Sequence, residues 1–368
     1  MPRKLLLLIV ALSIFATSPA VQAHDIQDLL TELTHRKVDR RLKADQALRE
    51  LAIGRDPALQ EALTDVVAVY RRQLDPYERE LTLALLQLMS DNGYDLRPAI
   101  AELINFLETR NTGVLCDLMR VLGSVGPDAK LAIPRLKELF SDSNAFLHTR
   151  AASALARIDP DQPEYVDSLI NCLAAEKDHE RWLAAYGLGQ VGALANRATP
   201  ALTKALQDAD PTVRVFAAIA LWRIDHQAEP VVSTLIRAID EPGMPAFLKP
   251  VAMTAWDFSH SMIAVGALGD MKQDALNALE PLLTRYDKPP KEAEYQNGVF
   301  PKQYDSDDQV LRGCILRAMN HVAPADSRVT ERTQSALKHP QPYVRSTAKS
   351  VVARLEREAA RSRCYSGR

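Results

Sequence analysis

The sequence predicts an all-α solenoid, a stack of short antiparallel helix pairs with no sheet. Three observations predict it. A short phrase returns along the chain, reading VLGSVG at 121–126, ALARID at 154–159, GLGQVG at 187–192 and ALWRID at 220–225. Its landmark leucines, Leu122, Leu155, Leu188 and Leu221, are evenly spaced, and a fixed period of roughly 20–50 residues marks stacked supersecondary units. Inside a copy the apolar residues recur at intervals of three and four, as on one face of a helix. Composition agrees: 47% of the 368 residues are hydrophobic but only 6% aromatic, which suits close packing of small residues between helices.

The N-terminus stands outside this pattern. Arg3 and Lys4 form a charged n-region, Leu5 to Phe15 an apolar run, and Val21-Gln22-Ala23 supplies small residues for cleavage. Residues 1–23 are therefore read as a secretory signal peptide cut after Ala23, with export to the periplasm or the extracellular space. The apolar run is too short to span a bilayer, and no transmembrane segment is expected in the mature chain. Removing the leader leaves 43 basic against 47 acidic residues, a net charge of about −4. No basic field draws in nucleic acid, which is excluded as a partner. Cys116, Cys172, Cys314 and Cys364 are widely spaced, without CxxC. Zinc ribbons are thus disfavoured, and the thiols are expected to be mostly free.

From residue 24 the copies run in order. Leu48-x-x-Leu51, Leu85-x-x-Leu88 and Leu122-x-x-Val125 lead in; Leu155-x-x-Ile158, Leu188-x-x-Val191 and Leu221-x-x-Ile224 form the regular centre; Leu268-x-x-Met271, Met319-x-x-Val322 and Val352-x-x-Leu355 follow. Residues 25–36 are expected to form an N-terminal capping helix. In the sixth copy, Val213, Ala217, Ala220, Leu221 and Ile224 make one apolar stripe, and Asp210-Pro211 supplies a cap and a first-turn proline. After each landmark comes a short turn, then a second helix: 133–139, 166–173, 199–206 and 231–239. Pro134 and Pro200, two periods apart, fall just inside this second helix, where a missing N–H costs little. Nine copies cover residues 24–361, ending in a helix over 341–361 and a tail over 362–368.

Phrases such as DPTVRVFAAIALWRID and ATPALTKALQDAD resemble HEAT repeats, in the short HEAT-like form found in phycobilisome lyases. The resemblance implies a right-handed α-solenoid of about nine HEAT-like helix pairs. It also implies a polar ladder in which an Asp ending one unit meets an Arg opening the next. Asp208 and Arg214 fit both halves; Arg181, Arg312 and Arg345 fit the Arg half; His148 stands where Arg would face Asp142.

The spacing breaks twice. The steps from Leu221 to Leu268 and from Leu268 to Met319 are longer than all the others. The first excess lies around Pro242-Gly243-Met244-Pro245 and the stretch 256–261. The second, 287–308, is polar and broken by Pro289, Pro290, Gly298 and Pro301, so it is expected to be a loop. Insertions in repeat arrays often emerge on the binding face. Trp256, Phe258, His260, Tyr295, Phe300 and Tyr304 are the expected contacts with a partner.

Catalytic readings are weaker. The run DHERWLAAYGLGQVG resembles one unit of deoxyhypusine hydroxylase, whose family holds two irons with several His-Glu pairs. Only His179-Glu180 is present here, and Phe146-Leu147, Thr212-Val213 and Tyr343-Val344 occupy the matching places. One pair cannot build a di-iron site. Asp257, Ser259 and His260 stand too close together in sequence to converge as a triad. Lys130, Arg135, Lys137, Lys204 and Arg237 on and near the second helices are interleaved with Glu138, Asp142 and Asp208, as on a solvated face. The reading is a non-catalytic exported scaffold that binds a partner protein, with no cofactor and no metal. A metal-dependent or lyase-like enzyme on the same scaffold is the alternative.

Overall fold

The computed structural model describes residues 26–72, 76–226, 228–241, 260–288 and 302–366; side chains at 72, 76–78, 80, 302–309 and 357–366 are not described. Every regular element among the described residues is a helix, and the architecture is an all-α solenoid of HEAT-like helix pairs. Residues 26–226 belong to one compact unit, 228–241 and 260–366 to a second.

The first unit opens with α1 (Ile26–Glu32). Its landmark helices are α2 (Val38–Gly54), α5 (Pro76–Asp91), α7 (Thr112–Val125), α9 (Ala145–Ile158), α11 (Asp178–Val191) and α13 (Pro211–Asp225). Between them lie the second helices: α3 and α4 (Pro57–Glu61, Leu63–Arg72), α6 (Ile100–Asn105), α8 (Ile133–Phe140), α10 (Glu164–Cys172) and α12 (Thr199–Ala205). The second unit holds α14 (Ala228–Ile239), α15 (His260–Met271), α16 (Leu279–Asp287), α17 (Lys302–Val322), α18 (Ser327–Ala336) and α19 (Pro342–Ser366). All nine landmark pairs lie on helices: the six named above, then α15, α17 and α19.

Local chemistry explains the boundaries. The Asp210 carboxylate accepts from the Thr212 and Val213 amides, and Pro211 takes the first turn of α13. Asn111, Asn144 and Asp326 cap α7, α9 and α18 in the same way. The predicted stripe Val213, Ala217, Ala220, Leu221 and Ile224 is buried throughout. Two ends differ from expectation. Residues 302–308, read as the end of a loop, belong to α17: the polar run extends a helix that begins just after Pro301. The last helix reaches Ser366, so most of the tail set at 362–368 is helical.

The returning phrase is a helix crossing. A Cβ added to Gly123 would stand 3.1 Å from the Ala154 Cα; the same geometry recurs at Gly189 and Ala220 (3.2 Å) and at Gly269 and Ala318 (3.2 Å). Each glycine directly follows a landmark leucine, and each alanine directly precedes the next landmark. α7 and α9, α11 and α13, and α15 and α17 therefore pack nearly backbone to backbone. The second helices α8, α12 and α16 each rest on the landmark helix that follows and are reached through a 3₁₀ turn: Gly126–Ala132, Gly192–Ala198 and Lys272–Ala278 share one pattern. Ala129, Ala195 and Ala275, three residues in, carry the non-helical dihedrals and are fully buried. Gly126 and Gly192 begin their turns at φ 73° and 67° with ψ −142°, a region essentially open to glycine alone. Lys272 does the same job at φ 52°.

Arginine closes the opposite turn. Arg41, Arg181, Arg214 and Arg345 are each the fourth residue of a landmark helix. Each Nη1 donates to the carbonyls six and five residues back: His35 and Arg36, Ala175 and Glu176, Asp208 and Ala209, His339 and Pro340, at 2.6–3.3 Å. Arg312 reaches Tyr286 and Lys288 in the same manner. This corrects the expected ladder. The Asp208 carboxylate receives Arg181 of the preceding copy, at 2.8 and 2.9 Å, while Arg214 holds the Asp208 carbonyl. His148 likewise meets the Phe140 carbonyl (2.6 Å) and Ser168 (2.8 Å), not Asp142.

Candidate functional site

The expected contact residues divide into two groups. Trp256, Phe258, Tyr295 and Phe300 lie outside the described residues. Tyr304 lies on α17, not on a loop, and its side chain is not described. His260 opens α15 and is only 3% exposed, beside Ser261, whose hydroxyl donates to the Ala238 carbonyl (3.1 Å). That placement makes His260 part of the packing in the second unit, which corrects its expected contact role.

The structure assembles aromatic residues elsewhere, on the landmark helices of the first unit. The His179 ring stacks on Phe146 (centroids 6.5 Å apart, 12° between planes). Phe146 meets Trp182 edge-on (6.4 Å), Trp182 stacks on Phe216 (5.4 Å), and Phe216 meets the Tyr186 edge (5.7 Å). The Arg150 guanidinium then lies over the Tyr186 ring, 4.3 Å from its centroid. These contacts form a continuous path over α9, α11 and α13. Geometry favours the arrangement: offset and edge-on ring pairs are the attractive ones, and a guanidinium over a ring face gains a cation–π contact. Trp182, Tyr186 and Phe216 are nearly buried, whereas Phe146, His179 and Arg150 are half-buried. The buried rings form a floor and the half-buried residues its accessible part.

Arg150 is set apart from its neighbours. On α7, Arg120 is paired with Asp117 at 3.1 Å. Arg150 forms no ion pair among the described residues, and its Nε is buried without a partner. Burial opposes its charge, but Tyr186, Cys116 and Asp117 around it hold its pKa above the ordinary arginine value. Cys116 is buried too, and its thiol is pushed up to about 11, chiefly by desolvation. Cys116, Cys172 and Cys314 are free thiols.

His179 approaches Asp178 (3.8 Å) and Glu180 (4.0 Å). No three His, Cys, Asp or Glu side chains cluster as metal ligands among the described residues. The basic residues of the second helices are engaged locally or solvated: Arg135 pairs with Glu138 and Arg237 lies 3.8 Å from Glu241. They do not join the aromatic path. No helix among the described residues is long and apolar enough to cross a membrane.

Residues 166–246 match the family described as HEAT repeats. No curated protein is a significant sequence match to the chain. Among solved structures, the chain is similar to the CpcE–CpcF complex of phycocyanin lyase from Nostoc sp. PCC7120, at 15% identity and TM-score 0.40, covering 77% of this chain and 94% of that one. It is similar to yeast importin-β (Kap95p) at 12% identity and TM-score 0.44, covering 89% of this chain and 46% of that one. Human deoxyhypusine hydroxylase follows at 14% identity and TM-score 0.34, covering 90% and 96%. The returning phrase runs through the matched segment at 187–192 and 220–225, and the same glycine–alanine helix crossing recurs on either side of it.

Proposed function

We propose that the protein is a non-catalytic scaffold that binds a partner protein outside the cytoplasm, on the surface presented by α7, α9, α11 and α13. The observation that carries this reading is the ring path from His179 through Phe146 and Trp182 to Tyr186. Rigid aromatic groups and arginine are the residue types that dominate binding energy at protein interfaces. Their helices are already formed, so little ordering entropy opposes binding. The segments 256–261 and 287–308 are proposed as additional contacts through Trp256, Phe258, Tyr295, Phe300 and Tyr304. Export rests on the charged, apolar and small-residue pattern of residues 1–23, and is tested by sequencing the N-terminus of the secreted chain, expected to start at His24.

The test of the scaffold reading is affinity capture from the native envelope fraction. A partner captured by the wild-type chain should be lost with Phe146→Ser/His179→Ser, whose circular dichroism stays helical. Unchanged capture by that variant refutes the surface. One iron or copper per purified chain, lost on His179→Ala, would refute the non-catalytic reading in favour of a metal-dependent enzyme.

A further inference from the structure

We infer that the turn joining α18 to α19 is an acid-sensitive latch: protonation of His339 loosens the start of α19, while the corresponding turn at Asp208 stays closed. The latch concerns the second unit alone, apart from the proposed partner surface.

Four junctions share one local turn. The Asp142 carboxylate accepts from the Asn144 amide (2.8 Å), and the Asp208 carboxylate from the Asp210 amide (2.9 Å). At two other junctions histidine takes the place of aspartate. Nδ1 of His35 accepts from the Lys37 amide (3.0 Å), and Nδ1 of His339 from the Gln341 amide (3.1 Å). Imidazole can stand in for a carboxylate here only while Nδ1 carries no proton. Once protonated, both ring nitrogens are donors, and an N–H is turned on the amide it had received.

The charges around the ring decide which histidine matters. Asp208 faces Arg181, from the preceding landmark helix, and Arg214, and its negative charge answers both. His339 faces the corresponding pair, Arg312 from α17 and Arg345 from α19. Main chain fixes both arginines beside it. Arg345 donates to the His339 and Pro340 carbonyls, each at 2.6 Å, and Arg312 to the Tyr286 carbonyl at 3.1 Å. Lys338, its neighbour in sequence, is exposed and of the same sign. Asp287, at the end of α16, is bound by Arg332 of α18 at 3.0 and 3.1 Å. Burial, then the charges of Arg312 and Arg345, holds the His339 ring below its ordinary 6.5. His35 differs: its other ring nitrogen lies 2.9 Å from Arg40, which also binds Glu32.

The closed turn thus needs a neutral His339, and the open turn returns the ring to an ordinary value. The stability it contributes is complete above about pH 6.5 and is lost as pH falls below that. An aspartate in the same turn keeps its hold down to about pH 4. Between those limits the last junction weakens while the Asp208 junction does not. Opening uncovers Tyr343 and Val344, buried in the closed state.

The test is native-state hydrogen exchange of the full chain at pH 7.5 and 5.0, corrected for the intrinsic pH dependence of exchange. Protection over 343–350 should fall about fivefold at the lower pH, while protection over 213–220 stays level. In His339→Asn the side-chain oxygen can still accept from Gln341 and takes no proton in this range. That variant should protect 343–350 equally at both pH values. Wild-type protection that does not fall, or a fall that persists in full in His339→Asn, overturns the latch. So does a fall spread equally over α15 and α17, which marks loosening of the whole unit. Should the variant fail to fold, NMR titration of the His339 ring in the wild-type chain decides. Its midpoint should lie below 6.5, with the Gln341 amide moving in step; a ring titrating at or above 6.5 overturns the latch.

Discussion

Alanine at Gly189 should destabilise the protein, against the usual benefit of replacing a helical glycine. Glycine inside a helix costs about 1 kcal/mol relative to alanine. The same change at Gly266, an exposed position in α15 with nothing within 4 Å of the added Cβ, should therefore stabilise the chain by about 0.5–1 kcal/mol. At Gly189 the new methyl would lie 3.2 Å from the Ala220 Cα and 3.3 Å from its Cβ, where carbon atoms prefer roughly 3.5–4.0 Å. Neither atom can rotate away, so α11 and α13 must part by a few tenths of an ångström. Overpacking of this kind costs about 1–3 kcal/mol. Offset by the helix propensity gained, the net loss should be about 1 kcal/mol. The two variants thus move in opposite directions, separated by about 2 kcal/mol, each read in the melting transition of its own unit by scanning calorimetry of the full chain. Gly123→Ala, 3.1 Å from the Ala154 Cα, should repeat the loss. A Gly189→Ala protein that melts above wild type would refute the crossing argument.

Other outcomes follow from the same geometry. Gly192→Ala should lose about 1–3 kcal/mol, because φ 67° with ψ −142° strains any side chain; Lys272→Gly, relieving a positive φ, should gain up to about 1 kcal/mol, both measured by urea unfolding. Asp208 ties the fold to pH. Burial alone would raise its pKa, but hydrogen bonds from Arg181 and the Asp210 amide, with the charges of Arg181 and Arg214, bring it below its ordinary 3.8. A depressed carboxyl stabilises the fold above its unfolded pKa and loses that contribution as pH drops below about 4. Arg181→Gln should therefore flatten the acid limb of the stability–pH curve as well as lower its plateau, and an unaltered slope would show that Asp208 is not held by Arg181. Cys116, buried with its thiol at about 11, should resist iodoacetamide at pH 8 and react only under unfolding conditions.

The fold was largely legible because period and burial report the same contacts. The stripe of α13, its Asp210 cap and the second-helix prolines could all be read from single residues with known local preferences. What stayed hidden had backbone on one side of the contact. The arginine turns show no partner pattern, since carbonyls carry no side-chain signature. The start of α17 was missed because polarity was read as loop, although polar residues extend helices readily once an apolar stripe (Leu311, Ile315, Leu316, Met319) has anchored them. For the site, attention to broken spacing led away from the regular copies. A signal was nevertheless there: Phe146 and His179 are one repeat period apart, so the period itself makes them neighbours on adjoining helices.

The arginine turns bear on how such a chain can diversify. In each, only the donor is fixed in kind; the receiving carbonyls belong to histidine, arginine, alanine, glutamate, aspartate and proline among the four turns with the same offset. A clamp that grips main chain places almost no demand on the letters it grips. Turn residues there can drift freely while these junctions stay closed. Duplicated copies can then lose visible kinship at their ends and still stack as before, which leaves the helix surfaces free to specialise one copy at a time.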